Sequence, residues 1–319
     1  MSANTLTEQL VKYLTDAHAM EVQALAQMRA APKIAKEPQL AGIFEAHERE
    51  TAVHEQLVRD RLEAYDAKPS RLEDLLGAIS GKGFVLFARS QSDTPGKLAA
   101  HAFSYEHMEL AAYDLLANVA QRVGDEETIA VARRIREEEN AMAIRIAGSW
   151  DRAVDASLEG KDPTDAIDHY LADAHALEAQ AIELLKRAPR GMPRDLVGVF
   201  DAHLAESQRH SDLVERRLSD RGSSPSKLKD AALRLGALNW SGFFAAQPDT
   251  PAKLAMFAYA FEHLEIGGYE QLTRVARRAG DDETALVADG ILPDERAAAE
   301  AIHGTFDAAL DASLEATLT

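Results

Sequence analysis

Tyr105-Glu106-His107-Met108-Glu109-Leu110-Ala111-Ala112-Tyr113 sets two carboxylates three residues apart inside an alanine-rich apolar run. The pattern returns as Phe261-Glu262-His263-Leu264-Glu265-Ile266-Gly267-Gly268-Tyr269, with both glutamates, the histidine and the tyrosine displaced by 156 residues. Side chains three and four positions apart on a helix share a face, so Glu106, Glu109 and Tyr113 point one way, as do Glu262, Glu265 and Tyr269. Carboxylates on an apolar face need positive partners, and the search for those partners leads outward along the chain.

The repeat extends well beyond this stretch. Tyr13-Leu14-Thr15-Asp16-Ala17-His18-Ala19-Met20-Glu21 returns as Tyr170-Leu171-Ala172-Asp173-Ala174-His175-Ala176-Leu177-Glu178. Phe44-Glu45-Ala46-His47, with Glu50 and His54 after it, returns as Phe200-Asp201-Ala202-His203 with Glu206 and His210. Asp93-Thr94-Pro95 and Gly124-Asp125 return as Asp249-Thr250-Pro251 and Gly280-Asp281. The chain therefore reads as a duplication, with one domain over 1–157 and its copy over 158–319. The boundary falls near Gly160-Lys161-Asp162-Pro163, where Asp162 can cap and Pro163 can begin the next helix.

Each copy predicts four long helices and no sustained β periodicity, hence an all-α class. In the first copy they run from about Leu6 to Arg29, from about Pro38 to Tyr65, from Thr94-Pro95 to Gly124, and from Asp125 to about Leu158, with Gly124 as a C-terminal cap. Helices one and two, and helices three and four, are joined by short segments. Between helices two and three lies a long connection, Pro69 to Asp93, with Gly77, Gly81 and Gly83 and the apolar Leu75, Leu76, Phe84 and Phe87. One long crossover per four-helix bundle is the ferritin-like arrangement, so two tandem bundles of that kind are expected.

The totals narrow the partners. The 319 residues, 46% hydrophobic, are enough for two cores, and a net charge of −18 argues against nucleic acid. The absence of cysteine removes disulfides, thiolate ligands and thiol nucleophiles. With no long uncharged apolar run and no basic-then-apolar leader, the expectation is a cytoplasmic protein without membrane contact.

Walking each helix along its apolar stripe reveals interruptions near the middle of all four. In the first copy they fall at Glu21, at His47, Glu50 and His54, at Glu106 and Glu109, and at Glu139; in the second at Glu178, His203, Glu206, His210, Glu262, Glu265 and Glu295. Burying one lone carboxylate costs several kcal/mol, and five facing one another repel. A pair of divalent cations per domain removes the penalty, in the manner of di-iron helical bundles, and four such ions would offset about +8 of the formal charge. Five glutamates and one histidine per domain suit iron first, with manganese or zinc as alternatives. The ligand set is then Glu21, His47, Glu50, Glu106, Glu109 and Glu139, repeated as Glu178, His203, Glu206, Glu262, Glu265 and Glu295; Glu50, Glu109 and Glu139 are the better bridging groups. His54 and His210 could supplement the ligands or be satisfied interior histidines, and His18 and His175 suit supporting roles. His107 and His263 face elsewhere, and Glu138 and Asp294 face solvent. Tyr113 and Tyr269, one turn beyond Glu109 and Glu265, could hydrogen-bond a ligand or supply an electron, packing with one hydrogen bond being the simpler role.

Asp16 and Glu21, His47-x-x-Glu50-Thr51, Glu106-His107-x-Glu109-x-x-x-Tyr113 and Glu138-Glu139 together resemble the YciE/YciF-type ferritin-like family, once per copy. That resemblance implies a ferritin-like bundle, two bound metal ions and a link to stress responses. The functional expectation is redox chemistry with dioxygen or peroxide, of a ferroxidase or peroxidase-like kind. Alternatives are a stress protein in which a non-redox metal cross-links the bundle and a di-iron oxygenase on an organic substrate. A tandem chain resembles a fused dimer more than a cage subunit, so it is expected to act as a pseudo-dimeric monomer or a homo-oligomer. In the second copy Pro293 precedes Asp294-Glu295 and predicts a break in helix four, while Gly267-Gly268 in place of Ala111-Ala112 loosens helix three.

Overall fold

The computed structural model describes residues 3–69, 94–186, 193–224 and 250–316. It divides into two compact units, Met1–Ser157 and Leu158–Thr319. Among the described residues of both, all regular secondary structure is helical. In the first unit these are α1 (Ala3–Met28), α2 (Ala31–Ala35), α3 (Pro38–Ala64), α4 (Thr94–Val123), α5 (Glu126–Ala147) and α6 (Trp150–Leu158). In the second they are α7 (Pro163–Leu185), α8 (Arg194–Asp220), α9 (Thr250–Ala279), α10 (Asp282–His303) and α11 (Phe306–Ala316). None is long and apolar enough to cross a membrane. The crossover expected over 69–93, with its glycines and apolar residues, lies outside the described residues save for Pro69, as does its counterpart in the second copy.

The four long helices of unit one close a ring, α1 packing on α3 and α4, and α5 packing on the same two. α7 and α10 pack likewise on α8 and α9. The seams follow helical periodicity: Leu10, Leu14, Ala17, Ala24 and Met28 of α1 are buried, as are Ile129, Ala132, Ile135, Met142 and Ile146 of α5. Each large aliphatic or aromatic side chain so buried contributes roughly 1.5–3 kcal/mol. Truncating one, as in Leu14→Ala, is expected to cost about 2–5 kcal/mol.

Caps set the helix ends and hence the register of the seams. Glu37 accepts from the amides of Gln39 and Leu40 at the start of α3, and Asp162 from that of Thr164 at the start of α7. Gly124, at φ 82°, ends α4 in the left-handed conformation that glycine adopts without strain, and Asp125 then caps α5. Arg61 of α3 donates to Asp125 at 2.9 Å and to Thr128 at 2.9 Å, tying the end of one helix to the start of another. Arg217 does the same to Asp281 at 2.7 Å and Thr284 at 2.8 Å.

The fold departs from the sequence expectation in three places. Helix four is two pieces, because Gly148 ends α5 and Ser149 turns its hydroxyl onto the Ile146 carbonyl at 2.7 Å; Gly304 and Thr305 repeat the break. Beyond helix one, Pro32 sits in the first turn of the short α2, where a missing amide costs nothing. The third correction concerns Pro293, which does not break helix four: α10 runs through it to His303. An interior proline costs about 3 kcal/mol. Ile291, Leu292, Glu295 and Ala298 are buried on either side of it, and Asp289 and Asp294 are held by Arg277 at 2.7 Å and Arg209 at 2.5 Å. Packing on both flanks thus outweighs the lost hydrogen bond.

Candidate metal centre

Every long helix of unit one sends polar groups inward at mid-length. Glu21 comes from α1, His47 and His54 from α3, Glu106 and Glu109 from α4 and Glu139 from α5, and all six are completely buried. Donor atoms of His47, Glu106, Glu109 and Glu139 lie within 4.8 Å of one another, and so do those of Glu21, His54 and Glu139. Glu139 belongs to both groups, its Oε2 3.1 Å from His47 Nε2 and its Oε1 2.7 Å from His54 Nδ1. Unit two repeats this, with His203, Glu262, Glu265 and Glu295 in one group and Glu178, His210 and Glu295 in the other.

Closeness here is mostly not hydrogen bonding, the exception being His210 Nδ1 and Glu295 Oε1 at 2.8 Å. Both oxygens of Glu106, Glu109, Glu139 and Glu265, and one each of Glu21, Glu178, Glu262 and Glu295, are buried without a hydrogen-bond partner. His47 Nε2 and His54 Nδ1 are likewise near carboxylates but not aligned to donate to them. Buried acceptors are ordinarily satisfied, so this convergence of oxygens and imidazole nitrogens is one that could hold a cation. The donor chemistry, mostly carboxylate with imidazole, fits iron or manganese and admits zinc.

The electrostatics record the same conflict. Burial raises Glu21 and Glu106 to about 8, with repulsion from Glu139 adding to it. Glu109 is pushed well above the carboxylate range by burial and by the charges of Glu139, Glu21 and Glu106. Burial works against protonated histidine, but the contact with Glu139 outweighs it and lifts His54 to about 9; His47 is raised further by Glu106. Burial would raise Glu139 too, yet the two histidines hold it well below the usual range. In unit two burial raises Glu178 and Glu262 to about 7 and Glu265 well above its ordinary value.

A shell of partners aims these groups. Tyr113, buried, donates its hydroxyl to Glu21, and Tyr269 donates to Glu178 at 2.5 Å. His47 Nδ1 faces Glu50 at 3.0 Å, and His54 Nε2 faces Glu138 at 2.6 Å, which leaves the opposite ring nitrogens directed at the buried carboxylates. His107 and His263 donate from Nδ1 to the carbonyls of Phe103 and Tyr259 at 2.7 and 2.8 Å, turned away from the cluster. His18 pairs with Glu55 at 2.7 Å.

The structure thus gathers five of the six residues singled out in each copy. Glu50 and Glu206 stand apart: their side chains are 34% and 38% exposed, and each faces a histidine Nδ1 from the outside. His54 and His210 join the groups instead. Two turns separate them from His47 and His203, which is the signal that places them on the same face. Glu138 and Asp294 are corrected from bystanders to partners, contacting His54 and, at 3.2 Å, His210.

A family model described as a domain of unknown function (DUF892) matches residues 5–159 and again residues 162–315. No solved structure matches the chain. The repeated helices, the repeated buried clusters and the two consecutive matches agree, and the chain belongs to the DUF892 family, of which it carries two copies in tandem.

Proposed function

We propose that each unit is a ferritin-like four-helix bundle holding two metal ions, iron first, and that the protein performs redox chemistry with dioxygen or peroxide in stress protection in the cytoplasm, as its resemblance to the YciE/YciF-type family suggests. One observation carries the metal: Glu109 and Glu265 are completely buried, and neither oxygen of either has a hydrogen-bond partner. A carboxylate in that setting is costly unless a cation meets it.

Glu139 and Glu295 would stand between two ions, with His47, Glu106 and Glu109 on one side and Glu21 and His54 on the other, and their counterparts in unit two. Bound iron would supply one-electron chemistry. The protein supplies the rest: Tyr113 holds Glu21, Glu50 and Glu138 orient the two imidazoles, and the apolar seams exclude water. A second reading, a cross-link by zinc or manganese, is favoured by the origin of the donors on all four long helices.

Elemental analysis of the natively purified chain, followed by anaerobic ferrous titration and admission of air, separates these. The redox reading expects about four metal ions per chain and an absorption change on aeration. The cross-link reading expects metal-dependent melting without oxygen consumption. If no ferrous ion is taken up, and Glu109→Gln with Glu265→Gln alters neither metal content nor melting, both readings fail.

A further inference from the structure

The two units hold their outer histidine in the same way and their inner histidine differently. His54 Nε2 meets Glu138, which Arg134 grips at 3.0 Å from one turn away on α5. His210 Nε2 meets Asp294, gripped at 2.5 Å by Arg209, which reaches from α8. At the inner histidine, Glu50 Oε2 accepts from His47 Nδ1 at 3.0 Å and from Arg145 Nη2 at 2.6 Å, while Oε1 accepts from Arg145 Nη1 at 3.2 Å. In unit two the place of Arg145 is taken by the exposed Ala301, and Glu206 meets His203 Nδ1 at 3.4 Å. Ser207, where unit one has Thr51 bonded to the His47 carbonyl, places its hydroxyl 3.4 Å from His203 Nε2, the nitrogen directed at the cluster.

We infer that Arg145 is a positioning residue that makes the two centres unequal: by clamping Glu50 it fixes the His47 ring with Nε2 inward, and unit two, lacking it, holds metal more weakly. This rests on the metal-binding reading above. An imidazole ligates through a lone pair, so its other nitrogen must carry the proton and be held; partners of this kind are typically worth about 10–100-fold in metal affinity. A forked guanidinium on a carboxylate fixes that carboxylate in position as well as charge.

The test uses the full chain stripped of metal and titrated with cobalt(II), read by absorption and calorimetry. Glu295→Gln, which removes the carboxylate shared by both groups of unit two, leaves unit one to be measured, and Glu139→Gln leaves unit two. Unit one is expected to bind about tenfold or more tightly. Arg145→Ala should bring it down to the level of unit two, Arg145→Lys should recover part of the loss, and the metal-free melting temperature should barely move. Ala301→Arg should tighten unit two, and this gain carries the test if Arg145→Ala fails to fold. Equal affinities in the two units, or tighter binding in Arg145→Ala because a released Glu50 becomes a ligand, would overturn the inference while leaving the metal reading standing. No cobalt uptake by the unaltered chain would overturn both.

Discussion

The two units carry the same six buried groups in surroundings that have changed. Unit one has Arg134, Glu137 and Arg145 along α5, and unit two has Gly290, Pro293 and Ala301 at the same places along α10. Helix-forming, charged positions have thus become a helix breaker, a flexible residue and a truncated side chain. Yet Glu178, His203, His210, Glu262, Glu265 and Glu295 remain buried and grouped. The buried donors and the shell that aims them are therefore separable: Arg209 on α8 takes over the grip on the outer carboxylate, while nothing among the described residues replaces Arg145.

Removing a buried, unpartnered carboxylate from one unit should break the comparison most completely. Glu109→Gln is expected to lower metal uptake by unit one alone, removing the ion of the His47, Glu106, Glu109 and Glu139 group, and Glu265→Gln to do so for unit two. Because a neutral amide replaces a buried, unpartnered carboxylate, each variant should melt no lower than the original when metal-free. Metal counting and calorimetry together check this, and a variant that loses metal only by losing its fold would contradict it.

A shared response to pH should come next. Glu21 and Glu106 at about 8, and Glu178 and Glu262 at about 7, lie above their ordinary 4.5, so folding takes up protons. Their contribution to the metal-free fold is complete below about pH 4.5 and is lost as pH rises through about 7 to about 8. His54 and His203 at about 9, and His210 at about 10, act in the same direction from an ordinary 6.5. The metal-free chain should therefore melt progressively lower from about pH 5 to about pH 10 in both units. Since cations and protons compete for these groups, metal should bind more tightly as pH rises and flatten the decline. Metal-free melting that rose over this range would break the account.

Smaller effects probe the helices themselves. Pro293→Ala should stabilise unit two by up to about 3 kcal/mol, and Glu137→Pro, at the matching exposed position of α5, should destabilise unit one by about that amount. Guanidinium unfolding of the full chain reads both. Gly268→Ala should change stability least, by under about 1 kcal/mol, because the gain in helix propensity is opposed by a new Cβ 3.1 Å from Leu177 Cδ1. In unit one the equivalent positions hold Ala112 and Met20.

Much of this was legible before any coordinates. The duplication needs only residue order, and the all-helical class needs only the period of the apolar residues. That Glu21, Glu106, Glu109 and Glu139 interrupt apolar seams follows from the same period, and all four are buried. Less legible was the difference between Glu50 and His54. Both lie near the α3 seam, but a few tens of degrees of helix rotation send one to the rim and the other to the interior. Glu138, adjacent to a buried glutamate, reads as solvent-facing from the period of its own helix, but His54 reaches it across the helix pair.

What the sequence determines by itself is local: which segments coil, where caps start and stop them, and which side of each helix carries carboxylates among alanines and leucines, because these depend on residues within a turn or two of one another. What tertiary structure decided is relational. Only the packing of α1, α3, α4 and α5 brings Glu139 between two histidines, leaves Glu109 without a hydrogen bond, sets Arg145 on Glu50, and in the other unit carries α10 through Pro293. Each depends on distances between helices far apart in the chain, which the periodicity of a single helix does not encode.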